Sequence, residues 1–472
     1  MTDKLQPQEL QQINLAIQVA NVMSHSLLFS LGREYLGQSF KKSEYINYFP
    51  PITGLTGYPY FLHLKLVDDS KVNSLEEQLT ALQLSYSACH NLGGDRLVFM
   101  INSDGSNNHV YLGTRSRNTD FVDNLQAMLK GNLPGTELQF YLPNDSQFKT
   151  QIEEPLKKFN YPTAITGIPS VNLGYSQIGR LLRSLEGSPF SYMVIAEPMV
   201  ETQINEIIYN LRELLGLVSS LSKMTLDENF TKTISEELQR TVTNSQNVSN
   251  SSTGGGKSIA RYIQTLIKFT SLGLETVIEE EEYKLAVKIG AIAAEHIIPD
   301  MVKKWSETLP QSSTEEIAST SDSQTTGFSK TTGQTLKREY INAHAQGAEI
   351  HIKEYIKRFE QARSLGTWNV GVYFLGEDEK IAQRGANCLK GMFSGEKSTL
   401  EPLRVHKLYE YHKDLWNGTL KDLGYFRQPS LALIDPQNPQ QPLDHPLGSA
   451  FNRLTTPLNT QELSALTNIG YS

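Results

Sequence analysis

The sequence predicts an α+β fold of ferredoxin-like or split-βαβ modules, with a long helical insertion between two flexible tethers rich in Ser and Thr. Short alternating or buried-type strands recur along the chain with helices between them, in an order typical of such modules. Residues 241–258 and 311–335 are mostly small polar side chains, which bury too little apolar surface to offset the entropy of ordering. Between these tethers, residues 259–309 have apolar side chains at helical spacing.

The first part of the chain predicts a helical arm followed by strands and helices. Apolar residues at helical spacing between 7 and 31 indicate a long helix that packs on the body or on a partner. The body begins with an alternating strand at 60–66 and a hairpin of strands 96–101 and 109–113, joined by turn residues. It continues with a helix at 119–130, a strand at 137–142, a helical stretch at 145–159 bent or broken at Pro155, a helix at 175–185 and a buried-type strand at 190–196.

Two long helices are predicted on either side of the tethers. Residues 200–224 and 336–365 each carry an apolar stripe, which fits an antiparallel, coiled-coil-like pair and fits ordinary core helices equally well. A buried-type strand at 368–375, a helix at 378–393 and a strand at 402–408 complete the body. The predicted division is an arm at 1–58, a body in two parts at 59–224 and 336–448, an insertion at 225–335 and a linker-like tail at 449–472.

Composition and charge exclude several classes of protein. The 472 residues carry 43 Lys and Arg against 51 Asp and Glu. The resulting net charge of −8 argues against a protein that coats nucleic acid or anionic membranes in general. Two cysteines, Cys89 and Cys388, are too few for a disulfide scaffold or a thiolate zinc site. No apolar run approaches the length of about 18 residues that a membrane span needs, and the N-terminus lacks the layout of a signal peptide. We therefore expect a soluble, cytoplasmic protein.

The sharpest motif is Gly256-Lys257-Ser258, which matches the last three residues of a phosphate-binding loop. The complete pattern needs a further glycine where this chain has Ser251, and a buried strand where it has a polar tether. We therefore expect a flexible loop at the start of a helix. Gly256, Lys257 and Ser258 are the candidate cofactor-binding residues should a nucleotide bind, and no cofactor is otherwise predicted.

No catalytic residue and no metal site is predicted. His344 and His351 are seven residues apart on one helix and would share a face, but a closed metal site needs three or four ligands. Cys89 directly precedes His90, and neighbouring side chains usually point apart, which favours a structural cysteine over a nucleophile. Enzymatic activity is thus left uncertain, with none of the familiar catalytic motifs complete.

Four arginines are candidates for contact with nucleic acid or a partner. Arg115 and Arg117 follow a predicted strand, where they could contact a phosphate, and Arg180 and Arg183 lie on a predicted helix. The alternative, ordinary charge pairing at the surface, is the commoner role of such residues.

Four fragments resemble, in their order, the region ahead of the motor domain in HerA-like and conjugative type IV secretion ATPases. They are residues 113–139 (GTRSRN to GTELQ), 178–198, 370–405 and 445–463 (HPLG to LTTPLNTQEL), so the resemblance covers about residues 90–465. It implies α+β modules with a variable helical insertion, and a final segment that leads into a RecA-like ATPase domain. That family's ATPase motifs follow the last matching segment, so no Walker A lysine, Walker B acid or arginine finger is carried over to this chain.

The resemblance leads us to expect a non-catalytic assembly or docking module. Its partners would be copies of itself or a separate RecA-like motor subunit, with nucleic acid reached only through the assembly. Two alternatives stay open: a structural component of a large cytoplasmic secretion or injection machine, and an ATPase or other enzyme whose site no linear motif reveals. The docking interpretation also predicts an exposed or loosely packed segment at residues 447–466.

Overall fold

A computed structural model describes residues 24–36 in part, 46–49, 57–66, 74–90, 95–171, 175–226, 338–435, 438–442, 445 and 447–468. The chain divides into two compact units. The sheet unit comprises Gly32–Asn205, Lys357–Leu443 and Gly448–Ser472. The helical unit comprises Met1–Leu31, Glu206–Ile356 and Asp444–Leu447.

The first half of the sheet unit is a β-α-β-β-α-β repeat. Its first strand lies between its third and fourth, and all neighbouring strands are antiparallel. After a short strand β1 (Ile46–Tyr48), the repeat consists of β2 (Tyr58–Leu66), α1 (Leu75–His90), β3 (Leu97–Asp104), β4 (Asn108–Ser116), α2 (Asp120–Asn132) and β5 (Glu137–Tyr141).

The second half has the same topology, with one interruption. A bent helical stretch joins the repeats: α3 (Ser146–Phe148), a π-helix (Lys149–Glu153) and α4 (Glu154–Lys158). The repeat then begins with β6 (Tyr161–Thr166), α5 (Gln177–Ser184) and β7 (Pro189–Pro198). The interruption comprises α6 (Glu201–Ser222), β8 (Lys223–Leu226), β9 (Arg338–Ile341) and α7 (Ala343–Ala362). The repeat ends with β10 (Thr367–Gly376), α8 (Glu379–Phe393) and β11 (Arg404–Lys407), and its strand order β11-β6-β10-β7 matches that of the first repeat.

The two repeats form one continuous antiparallel sheet. β3 of the first repeat pairs with β7 of the second along its whole length, from Leu97 opposite Ala196 to Asp104 opposite Pro189. One hydrophobic core lies between one face of this sheet and the helices, with Phe99, Val194 and Val372 among the strand residues that point into it. Because side chains alternate between the faces of a strand, the intervening residues point to the opposite face.

The opposite face is covered by the helical stretch between the repeats and by segments that follow β11. These segments are a 3₁₀ turn (Leu408–Glu410), α9 (Lys413–Gly424), β12 (Leu431–Asp435) and β13 (Asn438–Pro442). They are followed by β14 (Thr456–Asn459) and α10 (Thr460–Thr467), and α10 buries Leu463 and Leu466 in the core on the helical face of the sheet. β12 and β13 form a small separate sheet with β1, whereas β14 pairs with β10 as the ninth strand of the large sheet. Burial on both faces explains why the central strands read as continuous apolar runs.

Side-chain caps fix where several helices begin. The Asp378 carboxylate accepts from the Ile381 amide at the start of α8, and the Ser176 hydroxyl accepts from the Gly179 amide at the start of α5. Asn459 and Glu462 bond each other's backbone amides in a capping box at the start of α10. Each cap satisfies a backbone donor that the first helical turn leaves open.

The helical unit is closed by a two-stranded ladder. β8 pairs antiparallel with β9, so the chain leaves toward residue 227 and returns at residue 338 through one stem. Next to the stem, the Asn342 amide donates to the Ser222 carbonyl (3.1 Å), and the Asn342 side chain accepts from the Ala345 amide (3.0 Å) at the start of α7. The hydroxyl of buried Tyr355 donates to the Leu31 carbonyl (3.1 Å).

The structure confirms a mixed α+β fold with a large antiparallel sheet and helices. A strand or helix occurs at each position predicted between 60 and 142, and again at 190–196, 368–375 and 378–393. The predicted insertion helix at 259–309 and both tethers lie outside the described residues, as do Gly256, Lys257 and Ser258.

Two expectations are corrected. The helix predicted over 336–365 begins only at Ala343, because the preceding residues pair with β8 as β9. The expectation of an exposed segment at 447–466 is wrong, because β14 pairs with β10 and α10 is buried nearly throughout. The Trp368 indole donates to the Thr460 hydroxyl (3.0 Å), and Arg358 binds both carboxylate oxygens of Glu462 (2.9 and 2.6 Å).

Candidate anion-binding site

The structure places the four nominated arginines at two separate locations. Arg180 and Arg183 are exposed on α5, and the guanidinium carbon of Arg180 lies 3.5 Å from the centre of the Tyr175 ring. Arg115 lies half-buried near the end of β4, on the face opposite the helices, and Arg117 lies just beyond that strand and is exposed. Only Arg115 is brought together with other polar groups.

A row of polar residues crosses the sheet at Arg115. β3 pairs with β4 as far as Val98 opposite Gly113, and with β7 as far as Leu97 opposite Ala196. Continuing both registers to residue 96 places Arg96 between Arg115 of β4 and Glu197 of β7. Glu197 is in turn paired with Asn369 of β10. We refer to Arg115, Arg96, Glu197 and Asn369 as the polar row.

The strand ends that carry the two arginines are held together by side-chain hydrogen bonds. The Thr114 hydroxyl donates to the Arg96 carbonyl (2.6 Å), and the Ser116 hydroxyl donates to the Asp95 carboxylate (2.6 Å). Thr114 is fully buried, so the first bond is shielded from water. These contacts extend the alignment of the two strands as far as Arg115, which keeps the two guanidinium groups on one face.

A loop after α9, residues 425–428, covers the polar row; we call it the covering loop. The Phe426 ring packs edge-on against the Phe61 ring with centroids 4.8 Å apart. The Gln428 side-chain amide donates to the Ile195 carbonyl (2.8 Å) and to the Asn369 carbonyl (2.7 Å). The loop is therefore hydrogen-bonded to β7 and β10 and packed against β2.

Phe426 adopts a backbone conformation that its side chain disfavours. Its φ of +54° lies in the left-handed region, which bulky residues rarely occupy. Such conformations persist only where the surroundings enforce them, and they concentrate at functional sites. Here the packing of Phe426 against Phe61 and the bonds of Gln428 enforce it, which directs the preceding residue, Tyr425, toward Arg115.

Tyr425 contacts Arg115 only weakly. The Tyr425 carbonyl accepts a long hydrogen bond from Arg115 Nη1 (3.5 Å), and the guanidinium carbon lies 5.7 Å from the centre of the Tyr425 ring. Among the described residues, no carboxylate lies within ion-pair distance of Arg115. Its charge is thus uncompensated by a direct partner.

The other two arginines nearby do have acidic partners. Arg96 Nη1 lies 4.0 Å from a Glu197 carboxylate oxygen, which is an ion pair beyond hydrogen-bond length. Arg427 of the covering loop donates from Nε (3.1 Å) and Nη2 to fully buried Asp422. Burial raises the pKa of neighbouring Tyr48 to about 12, with the charge of Asp422 as a second cause.

Electrostatics at Arg115 are unfavourable to its own charge. The pKa of Arg115 is lowered, first by burial and then by the charge of Arg96, with a smaller contribution from Arg427; only Tyr425 opposes these effects. Like charges directly opposite each other on neighbouring strands destabilise a sheet. An anion placed between Arg115 and Arg96 would reverse this cost.

Several buried polar atoms in this region have no hydrogen-bond partner among the described residues. They are Arg115 Nε, Arg96 Nη1, Asn369 Oδ1 and Gln428 Oε1. Buried polar groups normally are hydrogen-bonded, so each exception calls for an explanation. Three of the four belong to the polar row and the fourth to the covering loop, which makes this region the candidate binding site of the sheet unit.

The remaining residues considered from the sequence lie elsewhere. Cys89 is buried in α1, where burial raises the pKa of its thiol to about 11, and it contacts the Asn124 amide (3.6 Å). His90 Nε2 lies 2.8 Å from the Thr367 carbonyl oxygen. Within the described part of the chain, no three metal-ligating side chains cluster, so His344 and His351 gain no third ligand there.

The sequence alone could have found one further member of the site. In the predicted hairpin of strands 96–101 and 109–113, register counting from the strand ends places Arg96 opposite residue 114, next to Arg115. Glu197, Asn369 and Gln428 carry no comparable signal, because they are brought to the row by pairings between distant parts of the chain.

Comparison with protein families, curated proteins and solved structures found no match to this chain. None of the helices that the structure describes is both long enough and apolar enough to cross a membrane.

Proposed function

We propose that this chain is a non-catalytic assembly or docking module of the cytoplasm, related to the region ahead of the motor domain in HerA-like translocases and conjugative secretion ATPases. It would act by forming oligomers or by binding a separate RecA-like motor subunit. Nucleic acid would be reached only through that assembly, because a chain of net charge −8 repels a long polyanion.

One observation carries the proposal: the β-α-β-β-α-β repeat occurs twice, and only the second copy is interrupted between its second and third strands. This strand order is that of ferredoxin-like modules, and the interruption contains the two long helices predicted to flank an insertion. The resemblance implies the same combination of α+β modules and a variable helical insertion.

The arrangement of the interruption suits a docking element. Within it, the ladder of β8 and β9 joins the residues on either side of 227–337, so changes in residues 227–337 leave the strand order of the sheet unit intact. Insertions that leave and return through one stem are tolerated by a fold because they do not alter its core.

The test combines solution mass with an ATPase assay on the full chain. We expect sedimentation to show an oligomer, or a stable complex with a RecA-like ATPase encoded beside its gene. We also expect no ATP hydrolysis by the chain alone, and identical behaviour of Lys257→Ala and the control Lys330→Ala. A monomer that binds no such ATPase would refute the proposal, as would ATP hydrolysis that only Lys257→Ala abolishes.

A further inference from the structure

We propose that the polar row and the covering loop form a binding site for a single phosphate group, carried by a small molecule. Arg115 and Arg96 would bind its oxygens from neighbouring strands, and the site would open to solvent beside Tyr425. The inference does not rest on the proposed assembly role, since the site lies wholly within the sheet unit.

The two arginines supply the charge and the donors that a phosphate needs. Guanidinium groups donate paired, planar hydrogen bonds that match the spacing of phosphate oxygens, and such charge-assisted bonds are strong. Arg115 Nε and Arg96 Nη1 are both buried donors without a hydrogen-bond partner among the described residues, although Arg96 Nη1 lies 4.0 Å from the Glu197 carboxylate. A phosphate between them would satisfy both donors and neutralise two charges that now repel each other.

The partial burial of the site favours strong binding of a small anion. Arg115 is half-buried beneath the covering loop, where electrostatic attraction is screened less than at an open surface. Arg115 keeps part of its side chain accessible and the neighbouring Tyr425 is 40% exposed, so a ligand can approach the guanidinium group from this side. The anchoring of the loop by Phe426 and Gln428 means that little ordering is required on binding.

Glu197 limits the charge that the site accepts. Its carboxylate lies 4.0 Å from Arg96 and is about one third exposed, so it remains hydrated while the phosphate binds. It also repels a second phosphate from that end of the row. The geometry thus favours one phosphate group over the continuous charge of a nucleic-acid backbone, in agreement with the acidic chain.

The first test is isothermal titration calorimetry of the full chain with inorganic phosphate, AMP, ATP and a short single-stranded DNA. We expect one site that binds inorganic phosphate or the phosphate of a nucleotide. Tighter binding of AMP or ATP than of phosphate identifies a nucleotide as the source, and equal binding identifies the free anion. Arg115→Met and Arg96→Gln should each weaken binding by about 10- to 100-fold, the usual effect of losing a hydrogen bond to a charged group.

Arg180→Met is the matched control, because Arg180 is exposed on the helical side of the sheet, where its guanidinium group lies over the Tyr175 ring. It should bind phosphate as the wild type does. A thermal unfolding scan gives a second, independent result. Without ligand, Arg115→Met should melt about 1–3 °C above the wild type, because the repulsion from Arg96 is gone, and phosphate should no longer raise its melting temperature.

Three outcomes would overturn the inference. One is the absence of any heat or melting shift when phosphate, AMP or ATP is added to the wild-type chain. Another is equal weakening by Arg115→Met and Arg180→Met, which would indicate general charge attraction. The third is DNA binding without phosphate binding. If Arg115→Met fails to fold, Arg115→Lys keeps the charge but loses the paired geometry, and it should also weaken phosphate binding. The oligomeric state should not change in these variants, which separates a failure here from a failure of the assembly proposal.

Discussion

Replacing Arg33 by methionine should be among the most destabilising single changes in the sheet unit. Arg33 is fully buried, and its guanidinium binds the buried Glu401 carboxylate through Nε (2.9 Å) and Nη2. It also donates to the carbonyls of Arg453 (2.9 Å) and Thr455 (2.8 Å). One side chain thus joins the N-terminal part of this unit to the segment before β14.

The magnitude follows from what the substitution leaves behind. Arg33→Met fills much of the same volume but leaves the Glu401 carboxylate buried without a counter-charge, which typically costs about 3–5 kcal/mol. Glu401→Leu should cost a similar amount, because it leaves the Arg33 guanidinium buried without a counter-charge. The double variant buries no unpaired charge and leaves only neutral acceptors, the backbone carbonyls and the Thr456 hydroxyl, without the Arg33 donors, so it should lose about 1–3 kcal/mol. Independent effects would instead sum to about 6–10 kcal/mol.

Urea unfolding followed by tryptophan fluorescence measures these differences, because Trp368 is fully buried in the sheet unit. The matched control is Lys407→Met, which breaks an exposed ion pair with Glu410 (2.8 Å) and should cost less than about 1 kcal/mol. A loss below about 1 kcal/mol for Arg33→Met, or a double variant as unstable as the sum of the singles, would refute the reasoning.

Three further predictions concern packing and titration. A methyl group on Gly385 would lie 2.1 Å from the Phe374 ring, so Gly385→Ala should lower the free energy of unfolding by about 1–2 kcal/mol. Gly391 has open space around it on the same helix, so Gly391→Ala should raise the free energy of unfolding by up to about 1 kcal/mol. Equal effects of the two substitutions in urea unfolding would contradict this. The pKa of His63 is lowered from 6.5 to about 4, chiefly by burial, so the unfolded chain binds its proton more readily and stability should fall as the pH drops from about 6.5 to 4. That loss should be smaller in His63→Phe, and an unchanged pH profile would argue against it. Burial also raises the pKa of Cys89 to about 11, so peptide mapping should find it unlabelled by iodoacetamide at about pH 8 in the folded chain; rapid labelling would show an accessible thiolate.

The central strands could be predicted from the sequence because burial dictates their composition. β10 is buried at every residue, and its run of apolar and small side chains is typical of a strand covered on both faces. No strand was predicted at β6, because Pro162 indicates a break in a strand. In the structure Pro162 pairs with Leu375 inside the sheet, because the surrounding strands hold it there.

The C-terminal segment shows where a resemblance misleads. Its likeness to a linker suggested exposure, while its own residues indicate the contrary. Asn459 and Glu462 form a capping box, and Leu463 and Leu466 are buried against the core. The local helix signal was therefore present in the sequence.

The candidate site was predictable only in part. Arg115 was identified because it follows a strand, and counting along the predicted hairpin places Arg96 within one residue of the position opposite it, where the observed register has it. The covering loop could not be found in this way, because Gln428 reaches β7 and β10 through contacts more than fifty residues distant in the chain. Local sequence patterns predict the strands, whereas the site is assembled by tertiary contacts between distant parts of the chain.

The measurement that tests the central proposal most directly is native mass spectrometry of the full chain, alone and co-expressed with any RecA-like ATPase that its neighbouring genes encode. The docking proposal predicts a complex of defined stoichiometry, in which ATP hydrolysis depends on the partner and is unchanged by Lys257→Ala. A chain that stays monomeric beside that ATPase, or one that hydrolyses ATP by itself until Lys257 is replaced, would contradict it.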